Sequence, residues 1–182
     1  MFAEIHDLDP DDGLAIRQAA KALLAAFPSN PSWPDLTAAL EEVRQSIAPG
    51  RISRVACSEN GSVLGWIGAI PSYDGHVWEI HPLVVPPNSQ QQGIGRALLA
   101  DLEEQARQQG VLTLWLGTDD EDNRTTLGGA DLYPDVLDKL GHIQDIKGHP
   151  FTFYLKMGFV LAGVVPDANG RGKPDILMAK RI

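Results

Sequence analysis

The chain is short of cysteine and short of positive charge, and each shortage excludes something. Cys57 is the single cysteine among 182 residues, so an internal disulfide framework or a cysteine-based zinc cluster is ruled out. Lys and Arg number 15 against 24 Asp and Glu, a net charge of −9 with histidine neutral. That balance argues against nucleic acid or an anionic membrane as a main partner, because both reward clustered cations. No apolar run approaches the length of a membrane span. Met1 to Asp12 is acidic and has no basic segment followed by an apolar stretch, so it does not read as a secretory signal and a cytoplasmic location is expected. The Gly-Lys-Ser/Thr of a P-loop is missing, and the third glycine of a dinucleotide fingerprint falls on Leu98. The five histidines have no metal-ligand spacing, and Asp119–Asp122 lacks the order and the glycine of an EF-hand, so no metal is expected.

What is present is ordinary globular composition, with 43% hydrophobic and 21% charged residues. The length suits one domain. Apolar residues at 3–4 spacing (Leu14, Ala15, Ala19, Ala22, Leu23, Ala26) predict a helix over 13–27, and a second is predicted over 35–47. Strands are expected at 51–58 and 62–70, joined at Asn60-Gly61, and at 76–85. Pro86-Pro87 breaks the third strand. A glycine-containing turn over 90–95 leads into an amphipathic helix over 96–109, with Leu98, Leu99, Leu102 and Ala106 on one side. A strand over 111–117 follows, then an acidic segment over 118–150 with a helix near 135–146. A helix over 149–157 and strands over 159–165 and 175–180 complete a mixed α/β or α+β chain.

The sharpest local feature is the order strand, break, Gln90-Gln91-Gln92-Gly93-Ile94-Gly95, helix. A helix N-terminus has free N–H groups and a partial positive charge, and glycines let the backbone approach an anion closely. This predicts a main-chain pyrophosphate site, with a plain glycine-rich turn as the alternative. The pattern Gln-x-x-Gly-x-Gly, with Gln90, Gly93 and Gly95 on its fixed positions, resembles the acetyl-CoA segment of the GCN5-related N-acetyltransferase superfamily. Phe153-Tyr154-Leu155-Lys156-Met157-Gly158-Phe159 is similar to that superfamily's second element. Longer blocks resemble the chromosomal-type aminoglycoside 6'-N-acetyltransferases: Trp66–Tyr73, Trp78–Val85, Leu116–Asn123, Asp131–Tyr133, His149–Phe159 and Pro166–Lys180.

The resemblance implies a GNAT fold, a mixed central sheet with a splayed strand pair flanked by helices. It implies a single acetyltransferase domain over 1–182 with an acidic substrate-binding insertion at 118–150. Acetyl-CoA is then the co-substrate, an aminoglycoside or other polycationic amine the acceptor, drug resistance the consequence and a homodimer the assembly. Glu79 would hold the reacting amine and take its proton, and Tyr154 would protonate the departing thiolate. The cofactor contacts implied are Leu83, Val84 and Val85 through their main chain, Gln90, Gln91, Gln92, Gly93, Ile94, Gly95, Arg96, Asn123 and Tyr154. The acceptor contacts implied or suggested are Phe27, Trp33, Tyr73, Glu79, His81, Asp119, Asp122 and Asp131.

Two of these expectations also have a physical basis in the residues themselves. His81 shares a strand face with Glu79 by period-2 spacing. Residues 117–138 hold seven carboxylates against Arg124 alone, −6 of the chain's −9, which is either a solvated acidic loop or a wall for a cation. Cys57 has no Cys-His constellation around it, so acyl transfer should be direct, through a ternary complex. Two competing readings remain open: an acetyltransferase for another polyamine, small amine or protein, and a non-catalytic acyl-CoA-binding module.

Overall fold

A computed structural model describes residues 4–28 and 30–182. Met1–Ala3 of the acidic N-terminal stretch, and Ser29 of the loop between Pro28 and Pro34, lie outside the described residues. The chain forms two compact units, Met1–Leu112 and Thr113–Ile182.

The first unit is an antiparallel meander, β1 (Glu4–Asp7), β2 (Ile52–Cys57), β3 (Val63–Ser72) and β4 (Val77–Val84), with helices α1 (Gly13–Ala26), α2 (Leu36–Ser46) and α3 (Ile94–Gln108). Asp12 and Asp35 start the first two helices, each side chain accepting two backbone N–H bonds, which satisfies donors the helix cannot. Ala15, Ile16, Ala19, Ala20, Ala22 and Leu23 are buried in the core with Ala39, Val43, Val55 and Trp66. Leu14, expected on the inner face of α1, is 68% exposed; Ile16 and Ala20 take the buried places instead. The Arg54 guanidinium ties three elements together, forking onto Asp101 of α3 at 2.7 and 2.9 Å and reaching Asp7 of β1 at 2.7 Å.

β4 alternates as expected of a half-buried strand. Trp78, Ile80, Pro82 and Val84 are buried, while Glu79, His81 and Leu83 are partly exposed. Its pairing with β3 shifts between Ile67 and Ala69, so that His81 and Pro82 together oppose Gly68. This is a β-bulge. Gly68 is required there, because a Cβ would run into the His81 carbonyl. Gly68→Ala is therefore expected to cost about 1–3 kcal/mol, as overpacking against backbone does. A lowered urea midpoint with an unchanged slope would show it.

The second unit contains β5 (Thr113–Asp119), α4 (Val136–Gly141), α5 (Phe151–Lys156), β6 (Val160–Val165) and β7 (Asp175–Arg181), with β7 antiparallel to both β5 and β6. Leu114, Leu116, Leu127, Phe151, Phe159, Ile176 and Met178 are buried. Three sequence boundaries are corrected here. α3 starts at Ile94, two residues before the expected Arg96, because Gly93 in the left-handed region (φ 84°) is already its cap. β5 starts at Thr113, not Val111, because the Val111 N–H is spent on the Ala106 carbonyl at the end of α3. α4 ends at Gly141 and does not continue to 146, glycine being a poor helix residue.

Candidate active site

The turn over 90–95 joins β4 to α3. After β4, Pro87–Ser89 make a single tight turn and Gln91 adopts φ 60°. Gly93 caps α3 without any side-chain bond, and the first intrahelical bond runs from Ala97 N to Gly93 O. The N–H groups of Ile94, Gly95 and Arg96 thus have no helical acceptor. No carboxylate occurs between Gln90 and Arg96. The donor set fits a pyrophosphate. Two glutamines serve the turn itself: Gln90 Nε2 donates to Val85 O at 2.9 Å and Gln92 Nε2 to Asn88 O at 3.1 Å. Their side chains brace the loop and leave the main chain to meet an anion. α3 sits close on β3, where a Cβ at Gly65 would press on Ile94, Leu98 and the Val84 carbonyl.

Glu79 and His81 share the partly exposed face of β4, and the charged imidazole is favoured mainly by the Glu42 carboxylate, with a smaller contribution from Glu79. Trp33 packs beside them, its ring centroid 6.3 Å from that of His81, and Phe27 stacks at a tilt on Trp33 at 5.5 Å. Four of the expected acceptor contacts therefore cluster. Tyr73 does not join them through its ring: it occupies the β3–β4 turn, is 77% exposed and makes no ring contact among the described residues. Glu42, which the sequence reading missed, belongs to the cluster. Its carboxylate accepts from Trp33 Nε1 at 3.2 Å and faces His81 Nε2 at 3.5 Å. A signal was available, because Glu42 lies three residues after the buried Ala39 and flanks the inner stripe of α2.

The acidic segment is more internally committed than its charge suggested. Asp120 is wholly buried and accepts from Arg124 N, Thr125 N and Thr125 Oγ1 at 2.7, 2.8 and 2.7 Å. Asp119 accepts from Asn169, Glu121 pairs with Lys173 at 3.6 Å, and Asp131 accepts from Tyr133 N at 3.1 Å. Asp138 faces His142 at 3.6 Å. Among the described residues only Asp122 and Asp135 of the seven have no side-chain hydrogen bond or ion pair. The segment is thus a braced loop first, with Asp119, Asp122 and Asp131 exposed on it. Asn123 takes φ 53° and packs against Gly128 and Gly129, where Cβ atoms would crowd it.

Two further groups of this unit have defined states. Tyr154 of α5 is 9% exposed between Phe153 and Phe159, with ring centroids at 5.2 and 5.6 Å. Burial pushes its phenol well above the usual range, so it keeps its proton. His149, expected inside a helix, instead precedes α5 and is buried. Its Nδ1 accepts from Phe151 N, so its Nε2 donates to Asp119 O at 3.0 Å. Burial holds its pKa down, and the ring is a neutral structural strut. Cys57 is buried and its thiol pushed up by that burial, which suits a packing role and not a nucleophile. Among the described residues no cluster of His, Cys, Asp and Glu could hold a metal, and no helix is long and apolar enough to cross a membrane.

Comparison with known proteins adds to this geometry. Residues 17–128 match the acetyltransferase (GNAT) family model. A crystal structure of an aminoglycoside 6'-N-acetyltransferase complexed with coenzyme A is 38% identical, with a TM-score of 0.89, covering 98% of this chain and 96% of that one. The aminoglycoside 6'-N-acetyltransferase from Enterococcus faecium has the same identity and coverage and a TM-score of 0.87. An aminoglycoside 6'-acetyltransferase type Ii is 32% identical with a TM-score of 0.74, again over 98% of this chain and 96% of that one. A search of curated protein sequences returns no match.

Proposed function

The chain belongs to the GNAT acetyltransferase family, and from that premise we propose that it transfers acetyl from acetyl-CoA to the 6'-amine of aminoglycosides. The observation that carries the reading is the juxtaposition of Glu79, His81 and the Trp33–Phe27 pair on one face of a unit whose next element is a pyrophosphate-binding turn. The relatives named above support it over nearly the whole chain. We read the chain as one acetyltransferase domain over 1–182, with 118–150 as its acceptor-binding insertion, and as a cytoplasmic homodimer.

Acetyl transfer from a thioester needs a held donor, a neutral and aimed amine, and stabilisation of the charge that develops on the carbonyl oxygen. The N–H groups of Ile94, Gly95 and Arg96 hold the pyrophosphate of the donor. The main chain of Leu83, Val84 and Val85 receives the pantetheine arm. Glu79 binds the acceptor ammonium and accepts its proton, directly or through water. Phe27 and Trp33 offer apolar faces to a sugar ring, while Asp119, Asp122 and Asp131 supply charge for the remaining ammonium groups. Acetylation removes one positive charge from the drug, which is the basis for resistance.

Tyr154 is the donor to the departing sulfur. A free thiol titrates at about 8.5, below the buried phenol, so Tyr154 stabilises the thiolate chiefly as a hydrogen-bond donor and passes its proton only transiently. Tyr154→Phe is expected to lower kcat by roughly 10–100-fold with coenzyme A binding nearly intact, only one of its contacts being lost, as measured by single-turnover kinetics and calorimetry. An unchanged kcat removes it from the chemistry.

The test of acceptor class is thiol release from acetyl-CoA with kanamycin or with spermidine. Turnover with kanamycin supports the reading. Turnover with spermidine alone selects another polyamine acceptor, and coenzyme A binding without turnover selects a binding module.

A further inference from the structure

We propose that Glu42 is a positioning residue of the acceptor site, a two-oxygen clamp that fixes Trp33 through one carboxylate oxygen and His81 through the other. The inference rests on the reading of Glu79 and His81 as acceptor contacts and adds to it the group that sets their shared face.

Three elements meet at this carboxylate. Trp33 comes from the loop after α1, Glu42 from α2 and His81 from β4. Glu42 Oε2 accepts from the indole at 3.2 Å, and Oε1 faces the imidazole Nε2 at 3.5 Å. An indole nitrogen has one hydrogen to give and an ionised carboxylate accepts only, so each oxygen of Glu42 serves one partner, and an amide in its place keeps one acceptor oxygen for the two. The rest of the inner face of α2, at Ala39, Val43 and Ser46, is buried in the core. The helix is anchored there, and Glu42 reaches the site from a fixed base.

The charged groups facing His81 are Glu42 from α2, Glu79 from its own strand and Arg51 from the segment before β2. Those facing Glu42 are His81 and Arg51, with the Trp33 indole as a further donor. Glu42 raises the histidine's pKa against the opposing effect of burial, and His81 in turn lowers that of Glu42. A protonated His81 is therefore neutralised by Glu42, and Glu79 remains the uncompensated charge that a cationic acceptor meets. Without Glu42, the protonated imidazole becomes a bare cation beside Glu79 and competes with the acceptor. Removing Glu42 also removes the main cause that raises the His81 pKa and leaves burial to lower it, so this competition is confined to pH below the variant's own, lower midpoint and fades as the pH rises through it.

Glu42→Gln and Glu42→Asp in the full chain test this. Proton NMR of the imidazole, with His81 identified by loss of its signal in His81→Gln, follows its midpoint without any substrate. The midpoint is expected to fall in Glu42→Gln and to return towards the wild-type value in Glu42→Asp, while Trp33 becomes more accessible to acrylamide quenching in Glu42→Gln. With kanamycin as acceptor, KM for the drug should rise about tenfold at pH below the variant's His81 midpoint and the difference should shrink as the pH rises through it, with kcat and the KM for acetyl-CoA nearly unchanged. A His81 midpoint that does not move in Glu42→Gln overturns the clamp, as does a loss confined to kcat. If Glu42→Gln does not fold, Glu42→Asp decides by the same midpoint, its shorter carboxylate giving an intermediate value if the clamp exists and the wild-type value if it does not. If the wild-type enzyme fails to turn over kanamycin, the acceptor reading fails, while titration and quenching still decide the clamp.

Discussion

Glu79→Gln is expected to lower kcat/KM for an aminoglycoside by about 10³-fold, equivalent to roughly 4 kcal/mol of transition-state stabilisation. The substitution keeps the shape of the side chain and removes its charge. Two losses combine. The ammonium of the acceptor loses a charge-assisted bond, which raises KM, and the attacking nitrogen loses its proton acceptor, which lowers kcat. Glu79 lies on the partly exposed face of β4 that it shares with His81. Coenzyme A binding is expected to stay intact, because the anion-binding turn at 90–96 makes no use of Glu79. Steady-state kinetics with both substrates varied separates the two losses. A change in KM alone assigns Glu79 to positioning, and unchanged kinetics removes it from the site.

Asp120→Ala has the largest expected effect on stability, about 3–5 kcal/mol. The substitution leaves Arg124 N, Thr125 N and the Thr125 hydroxyl without their acceptor, and Thr125 is itself buried. Charge-assisted bonds of this kind contribute about 1.5–3 kcal/mol each, with partial recovery through water. Asp120→Asn should recover only part of this, since its one amide oxygen can keep the two Thr125 bonds while its NH2 group faces the Arg124 N–H. Because Asp120 anchors the loop that carries Asp119 and Asp122, a rise in acceptor KM should accompany the loss of stability. Urea unfolding and limited proteolysis around 120–130 check the prediction. A midpoint within experimental error of wild type would contradict it.

These two carboxylates differ in how readable they were. The shared face of Glu79 and His81 follows from period-2 alternation, a local signal, whereas the role of Glu79 was implied by the resemblance. The turn at 90–95 was equally local, because Gly93 takes the left-handed conformation that its sequence position advertised. Asp120 sits in a run of four acids, where composition alone cannot say which is buried. The alternation of β5 could have said so: Leu114, Leu116 and Thr118 are buried, and Asp120 continues the series. β1 was missed because Glu-Ile-His-Asp is polar and pairs along one side only, with β2. The helical position of Glu42 beside the inner stripe of α2 was legible, but its pairing with His81, 39 residues away, is not encoded by a local pattern. The acidic segment was read for its net charge, whereas most of its carboxylates are occupied by loop donors, Asn169 and Lys173.

The proposed enzyme acetylates one amine, at the 6' position, of a polycationic sugar. Thiol release should therefore be measured with kanamycin and with its counterpart bearing a hydroxyl in place of the 6'-amine, under identical acetyl-CoA. Turnover with the amine and none with the hydroxyl compound is the result this account predicts. Comparable turnover with both would place acetylation on another amine, and turnover with neither would contradict the proposed function outright.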